Sequence, residues 1–202
     1  MVTTDETTTG SLRGERVWLR ALERADLPDI LAAVNSWEIG PWAGYATPLS
    51  LAGLEGWFDR TTGQHGQGQA FFAISSLGAR DVLGTVWLWN EGSRLDGLEL
   101  SIYLTEAVGP GHGIGTDAVG AALDYAFGSL TVERIWLTTE TENLRARRAF
   151  EKAGLHDDGV IRHHFRRDGR WRDSRLLSIL REEWEALPRQ RSWDLAGPQD
   201  QL

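Results

Sequence analysis

Residues 107–118 read AVGPGHGIGTDA, with glycine at every second position from Gly109 to Gly115, between an alternating apolar pattern at 98–104 and an apolar helical pattern. Glycine tolerates positive φ angles, so successive amide groups can converge on one anion. The N-terminus of a helix adds about half a positive charge at the same place. This strand–loop–helix segment therefore predicts a main-chain site for a phosphate-bearing ligand. The plainer alternative is a flexible turn.

Two other kinds of phosphate-binding loop fit this stretch less well. A P-loop needs a lysine, which residues 107–118 do not contain. Residues 113–118 spell the G-x-G-x-x-A pattern of a dinucleotide-binding loop, but they follow a predicted antiparallel hairpin in the second half of the chain. A doubly wound domain normally opens with that loop and then repeats βα units. The dinucleotide site stays the weaker alternative.

The hydrophobic periodicity of the whole chain predicts a single α/β domain. Strands are predicted at 16–20, 69–75, 82–89, 98–104 and 134–139, with two more around the turn at Asp168-Gly169. Helices are predicted from Asp26 as N-cap, after Ser50, from the glycine loop to about Phe127, and from Asn143 to Ala153. The order is β-α-α-β-β-β-α-β-α-β-β. We expect the domain at 13–187, with flexible polar tails at 1–12 and 188–202.

Composition excludes several classes of function. The 202 residues include no cysteine, which excludes disulfides, thiolate catalysis and cysteine-ligated zinc. The five histidines lack metal-ligand spacing, so no metal is expected. No apolar run reaches transmembrane length and no signal peptide is recognisable, so we expect a cytoplasmic protein that binds no membrane.

The charge distribution indicates the kind of ligand. A net charge of −8 argues against a general nucleic-acid partner and suits a small cationic substrate. Ten of the 21 lysines and arginines nevertheless fall between Arg145 and Arg175, which makes one flank suitable for a polyanionic cofactor. All basic residues except Lys152 are arginine, which is typical of a GC-rich bacterial genome.

The glycine segment and residues 143–155, NLRARRAFEKAGL, together resemble the acetyl-CoA site of the GCN5-related N-acetyltransferase (GNAT) superfamily. The opening GERVWLRAL at 14–22 and the closing DGRWRD at 168–173 resemble the branch that acetylates ribosomal protein N-termini, the RimJ/RimL-like branch. The resemblance spans about 13–187. It implies a mixed, mostly antiparallel sheet flanked by helices, acetyl-CoA as acetyl donor, an amine as acceptor, and dimerisation as a common property.

The family signature, Gln/Arg-x-x-Gly-x-Gly/Ala, falls on 110–115, with Pro110 in place of the usual Gln or Arg. The loop works mainly through main-chain donors, so this change should weaken cofactor binding only modestly. The resemblance also implies that strands 98–104 and 134–139 splay apart around the pantetheine arm. It assigns acetyl-CoA contacts to Ile102, Leu104, Gly111, His112, Gly113, Ile114, Gly115, Thr116, Asn143 and Phe150. For Asn143, helix capping is the structural alternative, and both roles are compatible.

Acetyl transfer needs a neutral amine, a polarised thioester carbonyl and a proton for the leaving thiolate. Glu99, Ser101 and Tyr103 share one face of their predicted strand. Glu99 is the candidate base; the alternative is a solvated carboxylate or an ion-pair partner. Tyr103 is a candidate proton donor to the thiolate; the alternative is ordinary packing. Many family members have tyrosine at the position of Phe150, whose hydroxyl protonates the thiolate. Phenylalanine has no such group.

The acceptor stays open between a peptide α-amine, a polyamine, an aminoglycoside and an amino-sugar. Some aminoglycoside-modifying relatives carry an acidic residue where this chain has Thr138, which makes that acceptor less favoured. Phe150 and Pro110 also leave open a binding module that holds CoA without catalysis. Tryptophan is unusually abundant, at Trp37, Trp42, Trp57, Trp87 and Trp89. The resemblance implies that the first three lie in helical segments that cover the acceptor pocket. The alternatives for these side chains are core packing and cation–π contacts with a cationic acceptor. His163-His164 and Arg166-Arg167 indicate a solvated hairpin.

Overall fold

A twisted, mixed sheet with helices on both faces forms the centre of the computed structural model, which describes residues 12–36, 39–40, 48–62, 69–90, 97–106, 108–109 and 111–195. The strands are β1 Leu12–Arg13, β2 Val17–Ala21, β3 Ala70–Ser76, β4 Gly84–Trp89, β5 Leu98–Leu104, β6 Arg134–Glu140, β7 His156–Arg167 and β8 Arg170–Leu180. The helices are α1 Leu27–Val34, α2 Leu51–Thr62, α3 Ile114–Ser129, α4 Leu144–Lys152, α5 Arg181–Ala186 and α6 Ser192–Leu195, with a 3₁₀ turn at Arg24–Asp26.

The sheet order is β1-β2-β3-β4-β5-β6-β8-β7. Every neighbouring pair is antiparallel except β5 and β6, which run parallel. The predicted α/β class and mostly antiparallel sheet are therefore confirmed, and β1, α5 and α6 are additions to the predicted order. The structure contains no helix, among the residues it describes, with both the length and the apolar character needed to cross a bilayer.

Each face of the sheet has its own apolar cluster. The buried face of β5, with Leu98 and Leu100, packs with α3 and with Phe150 of α4. On the other face, Leu27 and Ile30 of α1 pack with Leu54 and other residues of α2. The strict alternation of β5 explains this arrangement, because successive side chains of a strand point to opposite faces. Because helices cover both faces of the sheet, a cleft can open only where neighbouring strands separate at their ends.

The two parallel strands pair at one end only. Leu98 lies opposite Ile135 and Glu99 opposite Trp136, and the pairing stops there. At the closed end the backbones are so near that a Cβ added to Gly97 would overlap the carbonyl oxygen of Arg134. Towards their C-terminal ends β5 and β6 separate, as predicted from the family resemblance. The gap between them is the central feature of the site described below.

Asp117, in the first turn of α3, fixes the beginning of β2 beside that helix. Its carboxylate accepts hydrogen bonds from the backbone N–H groups of Glu15 at 3.0 Å, Arg16 at 2.8 Å and Val17 at 3.0 Å. A carboxylate there also interacts favourably with the positive end of the helix dipole. As a result, the Arg16 side chain lies next to the loop that precedes α3.

Replacing Asp117 by alanine should lower the free energy of unfolding by about 2 kcal/mol, since hydrogen bonds to a charged acceptor are lost while the three donors regain water only in part. Urea unfolding measures this. The matched variant Asp59→Ala removes an ion pair with Arg24 in which both side chains are more than half exposed. That variant should change stability by less than about 0.5 kcal/mol. Equal effects of the two substitutions would contradict the role assigned to Asp117.

Two local expectations differ from the structure. Asp26 does precede α1, but its side chain does not cap that helix. It accepts instead from the Glu23 N–H at 2.8 Å and from both terminal nitrogens of Arg20, each at 2.8 Å. A partly buried arginine offers a stronger, charge-assisted partner than an amide of α1. Residues 188–195, expected to begin a flexible tail, pack on α3, with Ser192 only 4% exposed.

Candidate active site

A cleft of about 1840 Å³ runs along the open ends of β5 and β6, which is larger than the pocket of a single drug-sized ligand. It passes from the start of β2 and α3, through the gap between the strands, to the hairpin of β7 and β8. Nearly all the site residues predicted from the sequence line it. These are Ser101, Ile102, Tyr103, Leu104, Gly111, His112, Gly113, Ile114, Gly115, Thr116, Asn143 and Phe150. The cleft therefore has room for an elongated cofactor and an acceptor together.

The glycine loop has the backbone geometry of an anion cradle. Gly111 has φ +88° and Gly113 has φ +74°, and Gly113 is the N-cap residue of α3. The space in front of Gly111 is open, since a Cβ placed there meets nothing within 4 Å. The first N–H groups of a helix have no partner within the helix, so those of α3 are available to a ligand. Ala107 and Pro110 lie outside the described residues.

Two side chains complete this end of the cleft. The Nε atom of Arg16 is 3.4 Å from the position of a Cβ on Gly113. Arg16 thus adds a positive charge to the loop that the sequence did not predict. The His112 ring turns back onto its own loop, where Nδ1 lies 3.0 Å from the carbonyl oxygen of Gly109. The residues present thus fit the pyrophosphate of CoA: main-chain donors, a helix N-terminus and a guanidinium.

The N-terminus of α4 forms the other side of the gap. The Asn143 side chain accepts a hydrogen bond from the Ala146 N–H at 3.1 Å, so the capping role considered for it is present. Thr116 joins the two helices through a bond from its hydroxyl to the Ala149 carbonyl at 3.3 Å. Basic side chains line the cleft along α4 at Arg145, Arg148 and Lys152. These positive charges lie in the same cleft as the glycine loop.

The three predicted catalytic residues differ in their position relative to the cleft. Ser101 and Tyr103 line it at the level where the strands have parted. Glu99 lies in the section where β5 and β6 are still paired, between Trp89 on β4 and Trp136 on β6. It is not among the described residues that border the cleft. Its role as the base stays a prediction.

Glu140, the last residue of β6, was not predicted. It lines the cleft, is 6% exposed, and pairs with Arg167 at 2.5 Å. Burial raises the pKa of its carboxyl above the ordinary value of 4.5, and Arg167 lowers it by less. The sequence did contain a signal, because the alternation of Trp136 and Thr138 continues to Glu140 on one strand face. The predicted strand ended one residue too early to include it.

Two residues of the β7–β8 hairpin lie beside Glu140. Ser174 is its cross-strand partner on β8. The Oγ atom of Ser174 lies 3.0 Å from Nδ1 of His164 on β7. Both residues line the cleft. His164 is exposed, as expected of a solvated hairpin, and it also lines the cleft.

Aromatic side chains form the wall on the side of α2. The ring of Trp57 is 5.1 Å from that of Trp87 and 5.4 Å from that of Phe71. Trp89 and Tyr103 continue the same wall. Trp37 and Trp42, which were also considered for this role, lie outside the described residues. No group of His, Asp and Glu among the described residues is arranged to hold a metal ion.

Comparison with known proteins agrees with this geometry. The family model of the acetyltransferase (GNAT) domain matches residues 16–156. The chain belongs to the GNAT acetyltransferase family. Enzymes of this family use acetyl-CoA as their acetyl donor.

Individual GNAT relatives match to different extents. The chain is 37% identical over 83 residues to the probable N-acetyltransferase YjcK of Bacillus subtilis (strain 168), which is 41% of this chain and 46% of that protein. It thus spans less than half of that relative. It is 25% identical over 169 residues to spermidine N(1)-acetyltransferase of Vibrio cholerae, covering 82% of this chain and 94% of that enzyme.

Solved GNAT structures share the whole fold. A crystal structure of the Vibrio cholerae spermidine N-acetyltransferase in complex with CoA and spermine has a TM-score of 0.75 and 26% identity, covering 84% of this chain and 98% of that chain. A GNAT acetyltransferase from Bacillus anthracis has a TM-score of 0.73 at 18% identity, covering 85% and 99%, and shows the fold alone.

Within the GNAT site, Phe150 is the main departure from the family pattern. Its ring is 8% exposed and lines the cleft, so it packs beside the cofactor path but has no hydroxyl to donate. The proton for the leaving thiolate must therefore come from another side chain or from water, or the thiolate leaves first and is protonated afterwards. Tyr103 stays a predicted donor.

Glu140 should make the stability of this GNAT domain depend on pH. Its folded pKa is raised, so its contribution to stability is full below the ordinary value of 4.5 and is lost as the pH rises through the raised pKa. In Glu140→Gln this loss is absent. The free energy of unfolding of the variant, relative to wild type, should therefore increase from pH 4.5 upwards. Urea unfolding at several pH values tests this, and a pH-independent difference would contradict it.

Proposed function

We propose that this protein transfers the acetyl group of acetyl-CoA to an amine of a small cationic acceptor, and that the acceptor class is the polyamines. The observation that carries the proposal is the composition of the acceptor side of the cleft. Aromatic faces line one wall and the buried carboxylate of Glu140 lies in the other. A site for an anionic or purely apolar acceptor would not combine these groups.

The aromatic wall suits a cation. A cation over the face of Trp87 or Trp89 gains about 0.5–2 kcal/mol from each ring, most where water is excluded. The net charge of −8 also raises the local concentration of cations near the protein. A polyamine, with ammonium groups spaced along an apolar chain, can use the rings and the carboxylate at the same time.

The comparisons support the same acceptor class. The relatives that match along most of the chain include an enzyme named for spermidine, and its structure was determined with CoA and spermine. Their identity to this chain is only 25–26%, so the acceptor of this protein is inferred from its own cleft together with the likeness.

The residues of this chain have separate tasks in the reaction. When bound, acetyl-CoA supplies the activated acetyl thioester. The N–H groups of the glycine loop and the Arg16 guanidinium would hold its pyrophosphate. The backbone of Ile102–Leu104, which lies beyond the point where β5 pairs with β6, would pair with the pantetheine arm. The aromatic wall would orient the acceptor beside the gap and exclude water, which strengthens the charge interactions inside. Transfer would be a direct attack of the amine with both substrates bound, since the chain has no cysteine nucleophile.

A second candidate acceptor is a protein N-terminus, as the RimJ/RimL-like resemblance implies. The observation that favours it is the β7–β8 hairpin, where Trp171 is 54% exposed and stacks on His163 with ring centroids 6.1 Å apart. Arg166 lies over the same indole at 5.7 Å. An exposed aromatic and basic surface beside the cleft would suit a peptide better than a small amine. The possible homodimer and the cytoplasmic location also stay predictions.

The test is a mass-spectrometric screen of amines with acetyl-CoA. It includes spermidine, spermine, aminoglycosides, amino-sugars and peptides with free N-termini, each with an enzyme-free control. We expect acetylated polyamines at the highest rate. Acetylation of peptides alone would replace the proposal by the second candidate. Binding of acetyl-CoA without any acetylated product would instead identify a CoA-binding module without catalysis.

A further inference from the structure

The gap between β5 and β6 has an acidic group on its β6 side, Glu140 at the end of that strand. Continuing the register from Glu99 opposite Trp136 would place Tyr103 opposite Glu140. Both residues line the cleft on either side of the gap. They lie at the ends of the strands that lead to the glycine loop and to α4, which places them at the donor end of the cleft.

Glu99 lies at a different level. Tyr103 is four positions further along β5, which corresponds to about 13 Å along a strand. The neighbours of Glu99 across both adjacent strands are tryptophans, in the section where the sheet is still closed. A general base must come within hydrogen-bond distance of the amine or reach it through one water. Glu140 lines the cleft beyond the end of strand pairing, whereas Glu99 does not line it although its neighbour Trp89 does, so Glu140 is the better placed of the two.

We propose that Glu140 is the catalytic base that takes the proton from the acceptor amine, an inference that rests on the proposed function. The ammonium gives one proton to the Glu140 carboxylate and becomes a neutral amine. The amine nitrogen then forms a bond with the acetyl carbon while the carbon–sulfur bond breaks, and the second proton that nitrogen loses ends on sulfur. Glu140 returns its proton to solvent, so the balance is one ammonium and one thioester in, and one amide, one thiol and one proton out.

The surroundings of Glu140 favour a carboxylate that accepts a proton. Burial makes the carboxyl a stronger proton acceptor than an exposed glutamate, and a catalytic base is most effective when its pKa is near the working pH. The ion pair with Arg167 keeps the carboxylate oriented and opposes complete neutralisation. The charged and titratable groups that face Glu140 are Arg167 on β7, Arg172 on β8, Glu142 after β6, Asp168 in the hairpin turn, His164 beside Ser174, and Tyr103 across the gap.

The test compares Glu140→Gln with Glu142→Gln, the same substitution two residues along, where the carboxylate is 59% exposed. Each enzyme is assayed across pH with the amine that wild type acetylates best, and with an analogue whose amine pKa is lowered by a neighbouring fluorine. We expect Glu140→Gln to lower kcat roughly 10²-fold on the basic amine, to remove the acid limb of the pH profile, and to have a much smaller effect on the fluorinated analogue. Glu142→Gln should retain the acid limb and the wild-type kcat, with the limb moved to slightly lower pH because the charge of Glu142 raises the pKa of Glu140.

Other variants and readouts separate the possible failures. Retention of the acetyl-CoA-induced rise in melting temperature shows that Glu140→Gln is folded and binds the donor. Glu140→Asp keeps a carboxylate and should keep the acid limb at a reduced rate. An equal loss on both amines with an unchanged acid limb, or loss of that limb only in Glu99→Gln, overturns the role of Glu140. If wild type acetylates no amine at all, the proposed function fails, and the role of Glu140 fails with it.

Discussion

Replacing Asp124 by alanine should lower the free energy of unfolding by about 3–5 kcal/mol, the cost of removing one partner from a buried ion pair. Asp124 lies on α3 and is 1% exposed. It accepts hydrogen bonds from the Trp184 indole N–H at 3.0 Å, from Arg189 Nη1 at 2.9 Å and from the Ser192 N–H at 2.8 Å. Alanine leaves these donors without their acceptor. Since domains of this kind are stable by only about 5–15 kcal/mol, the variant should melt far below wild type.

The loss of stability in Asp124→Ala should appear first as local opening of the C-terminal segment. Trp184 stacks on Phe127 and Arg191 lies 4.3 Å above its ring, so α5 and the residues after it are fixed together on α3. Trypsin should cut after Arg189 and Arg191 much faster in Asp124→Ala, because local opening exposes those bonds. Asp29→Ala, on the exposed side of α1, removes the same charge and serves as the control. A loss below about 1 kcal/mol together with unchanged proteolysis would contradict the role of Asp124.

Local signals made much of the fold predictable. The alternation at 98–104 gave the bounds of β5, because a strand with one face against α3 must alternate. Asn143 caps α4, as its position before a predicted helix suggested, because an N-cap depends on neighbours only three residues away. The glycine loop has its positive φ angles for the same reason: the sequence there determines the conformation without help from distant segments.

The parts that the sequence did not reveal depend on distant residues. Arg16 reaches the glycine loop only because Asp117, about a hundred residues away, binds the backbone of β2. Residues 188–195 have no periodicity, but Asp124 provides one buried acceptor that compensates the cost of ordering them. The only signal for Glu140 in the sequence is its place on the alternating face of β6. This carboxylate becomes a candidate base only through the end of strand pairing and the burial given by the β7–β8 hairpin.

Replacing Gly113 by valine should weaken acetyl-CoA binding roughly 10²-fold or more. Gly113 has φ +74°, where a β-branched residue is strained by about 1–3 kcal/mol, so the loop must change its conformation. The added side chain would also approach Arg16, whose Nε is 3.4 Å from the Cβ position. Loss of even one charge-assisted hydrogen bond to the pyrophosphate costs about 1.5–3 kcal/mol, and 1.4 kcal/mol corresponds to a factor of ten. Isothermal titration calorimetry with acetyl-CoA measures the change.

The chain offers a control for backbone strain in Gly78. It has φ +75°, nearly the same angle, in the turn between β3 and β4, and a Cβ there meets nothing within 4 Å. Gly78→Val should therefore lose a similar amount of stability to strain and still bind acetyl-CoA as wild type does. The difference in affinity between the two variants isolates the contribution of the loop to donor binding. Equal affinity of Gly113→Val and Gly78→Val would contradict the pyrophosphate site, because a strained loop that makes no contact with the donor would leave its binding unchanged.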